Sequence, residues 1–248
     1  MLAAQLDADG VSTGFLPRCD APTTLAAAEL DERGTATYRF YFEGTSAPSL
    51  TGVDGDVPAS VVFTGGLGLV LEPMASTAEA MVADAHARGA AVMVDVNCRP
   101  RIIPSREPYV ARLDRVLRLA DVVKVSDEDL AYLHPDLGPI DAARAVLALG
   151  PKAVLLTAGG GSVHVLTAAG EIDVPVPKVE VVDTIGAGDS FGGGFLAWWQ
   201  LSGNPVAALA DPEALRPAVE AAIEVAGVVV TRRGANPPWR TELRPDWG

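Results

Sequence analysis

The sequence predicts an α/β fold in three layers, a mostly parallel central sheet with helices on both faces. Three observations predict it. Short, almost wholly apolar runs recur through the middle of the chain at residues 60–64, 90–95, 121–125 and 153–157, as in strands buried on both faces. Stretches with helical spacing lie between them, at 73–88, 107–119 and 141–149, and such alternation builds parallel sheets. The 248 residues, 49% hydrophobic and 21% charged, are enough for one well-buried domain, residues 1–248, without disulfide or metal staples.

The elements follow in order. Residues 24–30 and 35–42 are strand-like runs around Asp31, Glu32, Arg33 and Gly34, the pattern of a β-hairpin. The run at 60–64 ends in Gly65 and Gly66. Three helix–strand repeats carry the chain to Thr157. Residues 162–167 and 171–176 then read as an antiparallel pair, and 186–201 and 212–230 as two long helices. Thr64, Asp95, Ser126 and Thr157 fall at the carboxyl ends of the apolar strands, where open α/β sheets bind ligands. That pattern predicts a place and not a chemistry.

The net charge is −13. A surface of that sign repels nucleic acid and anionic membrane, so neither is expected as a partner; a few aligned N–H groups can still hold a phosphate locally. Cys19 and Cys98 fit no metal-ligand spacing and read as two reduced thiols. His86, His134 and His164 are scattered, the first two among polar neighbours and the third on an alternating strand, and all three read as surface residues. The opening residues show no basic segment followed by an apolar core, and no uncharged run reaches membrane-spanning length, so a cytoplasmic protein is expected.

Chemistry concentrates at residues 183–196. Gly186, Ala187 and Gly188 stand where a loop turns into a helix. Small residues let the backbone approach a ligand, and the first-turn N–H groups of a helix have no internal acceptor. With the helix dipole they form an anion hole, with Asp189 in its first turn. A carboxylate there also fits a capping role. The glycines that follow, at 192, 193 and 194, each destabilise a helix by roughly 1 kcal/mol relative to alanine. They predict close packing against a strand or a ligand.

From Asp183 to Leu196 the stretch resembles, position for position, the second signature of the ribokinase (PfkB) family of carbohydrate kinases. The resemblance implies a ribokinase-like α/β/α sandwich with a small β lid, and ATP-dependent phosphorylation of a sugar hydroxyl. It implies Asp189 as the base that takes the hydroxyl's proton, and Gly186, Ala187 and Gly188 as the hole for the transferring phosphoryl group. Asp183 would organise a monovalent-cation (K+) site, with Thr184 beside the nucleotide.

Four further stretches resemble the family in its order. The run from Asp95 to Arg99 is similar to the Asp-x-Asn-x-Arg stretch of fructokinase-like members, which implies Asn97 and Arg99 as sugar or phosphate contacts. Arginine suits an anion through its planar fork of donors; for Asn97 a locally bonded loop is an equal alternative. The stretch from Ser126 to Asp129 resembles Asn-x-x-Glu, with Ser126 at the nucleotide and Asp129 holding magnesium. The same residues spell a helix cap, and both readings can hold. Residues 157–162 resemble a nucleotide-contacting turn, implying Thr157, Gly159 and Gly161. Residues 227–235 resemble the segment closing the adenine pocket, with Gly234 in it.

The hairpin, within residues 23–43, would be part of the lid, with Tyr38 and Tyr41 as sugar contacts or as lid core. Phe42 stands where ketodeoxygluconate kinases carry arginine, which favours a fructokinase-like kinase. The family's opening strand, with its sugar-binding aspartate, and the Gly-Gly segment after it have no counterpart here. The first βαβ part is therefore expected to be absent, through a late start assignment or a shortened chain. A homodimer is expected. The competing readings are a kinase for 2-keto-3-deoxygluconate, ribose or a nucleoside, and a non-catalytic sugar- or nucleotide-binding remnant.

Overall fold

A computed structural model describes residues 2–30, 36–53, 58–245 and 247, with the backbone alone for 28–30 and 36–38. A first helix, α1 (Leu2–Ala8), precedes a two-stranded antiparallel sheet of β1 (Leu25–Leu30) and β2 (Ala36–Tyr41), in which Leu25 pairs with Tyr41 and Leu30 with Ala36. The turn expected between them, at residues 31–34, lies outside the described residues.

The chain then alternates through β3 (Val61–Gly65), α2 (Met74–Ala87), β4 (Ala91–Asp95), α3 (Arg106–Leu117), β5 (Val122–Ser126), α4 (Asp127–Leu133), α5 (Pro139–Leu147) and β6 (Ala153–Thr157). A hairpin of β7 (Ser162–Thr167) and β8 (Gly170–Pro175) follows, and then α6 (Ala187–Leu201) and α7 (Pro212–Val230). The six strands order β3-β4-β5-β6-β7-β8, parallel from β3 to β6 and antiparallel beyond. The observed elements agree with the expected ones to within a residue or two at most ends.

Alternation along each strand sorts residues onto two faces. Val92, Val94, Val123, Val125, Val154 and Leu156 pack under α2 to α5. Met93, Val122, Ala153 and Leu155 pack under α6 and α7, against Phe191, Phe195, Leu215 and Val219. Branched side chains suit this pleated, doubly covered surface. Burying one such side chain contributes about 1.5–3 kcal/mol.

The helix ends are set locally. The Ser126 hydroxyl accepts from the Asp129 N–H at 3.0 Å, and the Asp129 carboxylate accepts from the Ser126 N–H at 2.9 Å, a reciprocal cap that starts α4. Asp211 caps α7, with Pro212 in its first turn. The glycines of α6 divide. The Phe63 ring of β3 fills the space a side chain at 192 would need, and Val225 of α7 fills that at 194, whereas nothing lies within 4 Å of a side chain at 193. Close packing therefore explains two of the three. Among the described residues no helix is long and apolar enough to cross a membrane.

Candidate active site

Two cavities open at the carboxyl ends of the parallel strands, one on each side of the start of α6. The larger, about 1030 Å³, is lined by Lys124, Thr157, Gly159, Thr184, Ala187 and Gly188, with an apolar wall from α7. The smaller, about 460 Å³, is lined by Phe40, Thr64, Asp95, Asn97, Arg99 and Asp189. Gly188 thus faces one cavity and its neighbour Asp189 the other.

The sequence dictates this turn. Gly186 caps α6 in the left-handed region, at φ 78°, and a side chain there would meet Ala235 at 2.7 Å; both favour glycine. The Ala187 N–H donates to the Thr184 carbonyl at 3.3 Å, and the Ser190 N–H to the Gly186 carbonyl at 2.9 Å. Among the described residues the N–H groups of Gly188 and Asp189 have no acceptor. The free donors at this turn are therefore not the expected trio. The Ala187 amide closes a turn, Gly186 shapes the backbone without lining either cavity, and the free donors are at 188 and 189.

A buried ion pair lies beneath. The Lys124 ammonium donates to both oxygens of Asp95, at 3.1 and 3.2 Å, and both residues are almost wholly inaccessible. Burial pushes the Asp95 carboxyl up from the ordinary carboxylate range; Lys124 pulls it back, and the nearby Asp129 and Asp189 push it further up. A side chain at 188 would meet the Lys124 nitrogen at 2.9 Å, so glycine there lets the ammonium approach the helix start.

The other expected residues divide. Asn97, at φ 40°, and Arg99 line the smaller cavity. Thr157, Gly159 and Thr184 line the larger. Gly160 lines it too, whereas Gly161 is turned away and closes a turn through its N–H to the Ala158 carbonyl. Ser126 lines neither cavity, because its hydroxyl is engaged in the α4 cap. Tyr41 is exposed and off the cavity; Phe40, one residue earlier and on the opposite side of the strand, lines it. The Tyr38 side chain lies outside the described residues.

The expected metal ligands are already engaged. Asp129 accepts from the Cys98 N–H at 2.6 Å with one oxygen and from the Ser126 N–H and hydroxyl with the other. Asp183 accepts from the Ile185 N–H at 3.0 Å and the Gly234 N–H at 2.8 Å, and these bonds hold its carboxyl below the ordinary range. Asp183 thereby ties the loop before α6 to the loop after α7, which is also where Gly234 acts, outside the cavity lining. Among the described residues no group of three His, Cys, Asp or Glu side chains could hold a metal. These side chains do not fit a protein-ligated magnesium site; an ion that keeps its waters and rides on phosphate oxygens needs none.

Sequence reasoning missed Phe40, Lys124 and Phe63, whose ring also lines the smaller cavity. A lysine inside the apolar run 121–125 was a legible signal, since lysine is seldom buried unless paired. Phe40 was not legible, because only the seating of β2 over the cavity decides which side of the strand faces in.

The profile described as pfkB family carbohydrate kinase matches residues 1–242. A fructokinase from Rhizobium leguminosarum bv. trifolii is 37% identical over 79% of this chain, which spans 61% of that relative's length. A fructokinase-1 from Oryza sativa subsp. japonica is 30% identical over 98% of the chain and 76% of its own length. A Xylella fastidiosa fructokinase crystallised with bound ATP superimposes with a TM-score of 0.81 at 27% identity, over 94% of this chain and 75% of that one.

Proposed function

The chain belongs to the pfkB family of carbohydrate kinases, and on that premise we propose that it transfers the γ-phosphoryl group of ATP to a hydroxyl of a small sugar, with fructose the first candidate. One observation carries the reading. The turn at Gly188 and Asp189 separates two cavities, with a free N–H at each residue and a carboxylate on the smaller side. The naming of the relatives as fructokinases supports the choice of sugar.

In this reading ATP lies in the larger cavity, against Thr157, Gly159 and Thr184, with its γ-phosphate at the start of α6. The sugar lies in the smaller one, against Asn97 and Arg99, under Phe40 of the β1–β2 lid. The sugar hydroxyl oxygen attacks the γ-phosphorus. The new oxygen–phosphorus bond forms as the bond to the β–γ bridging oxygen breaks, ADP leaves with that electron pair, and Asp189 takes the hydroxyl proton. The N–H groups of Gly188 and Asp189 stabilise the charge on the transferring group, the main protein contribution in such chemistry. Magnesium carried on the nucleotide would neutralise the β- and γ-oxygens. Asp183 stiffens the loop through its two N–H partners, and a monovalent cation such as K+ would bind beside that loop and not on the Asp183 oxygens. Lid closure would exclude water. A homodimer, formed through the exposed Leu25 and Tyr41 of the lid, completes the reading and is tested by sedimentation.

ADP release with fructose, ribose, 2-keto-3-deoxygluconate and a nucleoside as acceptors tests the proposal. Release that depends on fructose supports it. Release with another acceptor alone redirects the substrate, and ATP binding without acceptor-dependent release overturns the kinase reading in favour of a binding protein.

A further inference from the structure

The Lys124–Asp95 pair spans the wall between the cavities: the lysine lines the larger one and the aspartate the smaller. An ammonium has three donors. Two go to the Asp95 oxygens, and among the described residues the third has no acceptor. Its nitrogen lies 2.9 Å from where a side chain on Gly188 would begin, beside the residue whose N–H is one of the two free donors.

Stability does not explain such a pair, since an apolar pair of similar size in its place is often neutral or stabilising. The neighbouring strands show the alternative already in use. Val122, on the same face and two residues from Lys124, is an ordinary core residue, as is Met93, two residues from Asp95. The charged pair appears toward the carboxyl ends, with Asp95 the last residue of β4 and Lys124 two residues before the end of β5, where the cavities begin.

We propose that Lys124 is a catalytic residue, its third N–H donating to a non-bridging oxygen of the transferring phosphoryl group beside the Gly188 and Asp189 amides. This rests on the kinase reading above and deepens it. Lys124 neither gives nor takes a proton; its charge counters the negative charge on the group in flight, and Asp95 fixes its position. A preorganised donor in a dry site is worth far more than one in water. Asp95 also leaves the buried pair neutral, so a buried cation is tolerated.

The test compares Asp95→Asn with the double variant Asp95→Asn, Lys124→Met. Both lack the aspartate charge and neither leaves an unpaired buried carboxylate, so the pair isolates the lysine. The double variant is expected to have a kcat lower than the single by about 100-fold, the usual loss for one such donor, with KM for the sugar little changed. With Asp95→Asn in place, Lys124→Arg instead of Lys124→Met is expected to restore part of that loss. Equal kcat in the single and double variants would show that Lys124 acts only through Asp95 and overturn the proposal. A second arm needs no turnover. Calorimetric titration is expected to show the native chain preferring ATP over ADP, and the double variant losing most of that preference relative to Asp95→Asn. An unchanged ratio, or no nucleotide binding, overturns the proposal. If the native chain shows that preference but phosphorylates no sugar, the kinase reading fails and the Lys124 contact to phosphate stands.

Discussion

The two faces of the central sheet are built from the same strands and serve different ends. Under α2 to α5 the strands present an unbroken layer of valine and leucine. Under α6 and α7 the layer begins the same way and then gives out. Val122 is followed on that face by Lys124, Met93 by Asp95, and the cavities open there. One residue of strand register separates Val123, in the valine layer, from Lys124, at the wall of a cavity. The comparison teaches that strands buried on both faces can place a charged pair toward their carboxyl ends, beside the cavities, while their other residues remain core.

The sharpest way to break this division is at its polar end. Asp189→Asn is expected to lower kcat by about 10²–10⁴-fold while leaving ATP affinity within a few-fold and the melting temperature unchanged; steady-state kinetics and calorimetry check it. Undiminished turnover would remove Asp189 from the base role. The complementary substitution on the opposite face is Leu113→Ala, at a side chain 1% exposed. It is expected to destabilise the fold by about 2–5 kcal/mol in chemical denaturation, with kcat per folded molecule unaltered. A loss of kcat without a loss of stability would erase the distinction between the faces.

Two smaller effects sharpen it. Gly193 lies on α6 with open space beyond it, unlike its packed neighbours 192 and 194. Gly193→Ala should therefore raise stability by roughly 0.5–1 kcal/mol, whereas Gly194→Ala, which meets Val225 at 3.0 Å, should lower it. Under the α2–α5 layer, Cys98 is buried against Tyr109, and burial pushes its thiol up to about 12. The raised value means that the stability held by the neutral thiol is fully present below about pH 9 and is lost as pH climbs toward 12. At pH 8 a thiol reagent is expected to modify the exposed Cys19 quickly and Cys98 only on unfolding.

Much of the fold was legible because its signals are local. The apolar runs are strands, and Gly186 to Asp189 do start a helix at a cleft. The misplacements share a cause: they depend on what a residue meets across the fold. Asp129 and Ser126 satisfy a capping pattern and a ligand pattern equally well in sequence, and the Cys98 N–H, 31 residues away, helps saturate the aspartate. Tyr41 and Phe40 differ by one position on a strand whose seating is tertiary. The partner of Lys124 is 29 residues away on the neighbouring strand, so a lysine in an apolar run was visible while its purpose was not.

The central claim is that the phosphoryl group crosses the wall at the start of α6. A crystal structure with ADP, aluminium fluoride and fructose tests it most directly. The account expects the fluoride group about 3 Å from the N–H groups of Gly188 and Asp189, with a fructose hydroxyl on the Asp189 carboxylate. Fluoride bound away from those amides, or fructose outside the cavity of Asn97 and Arg99, would contradict it.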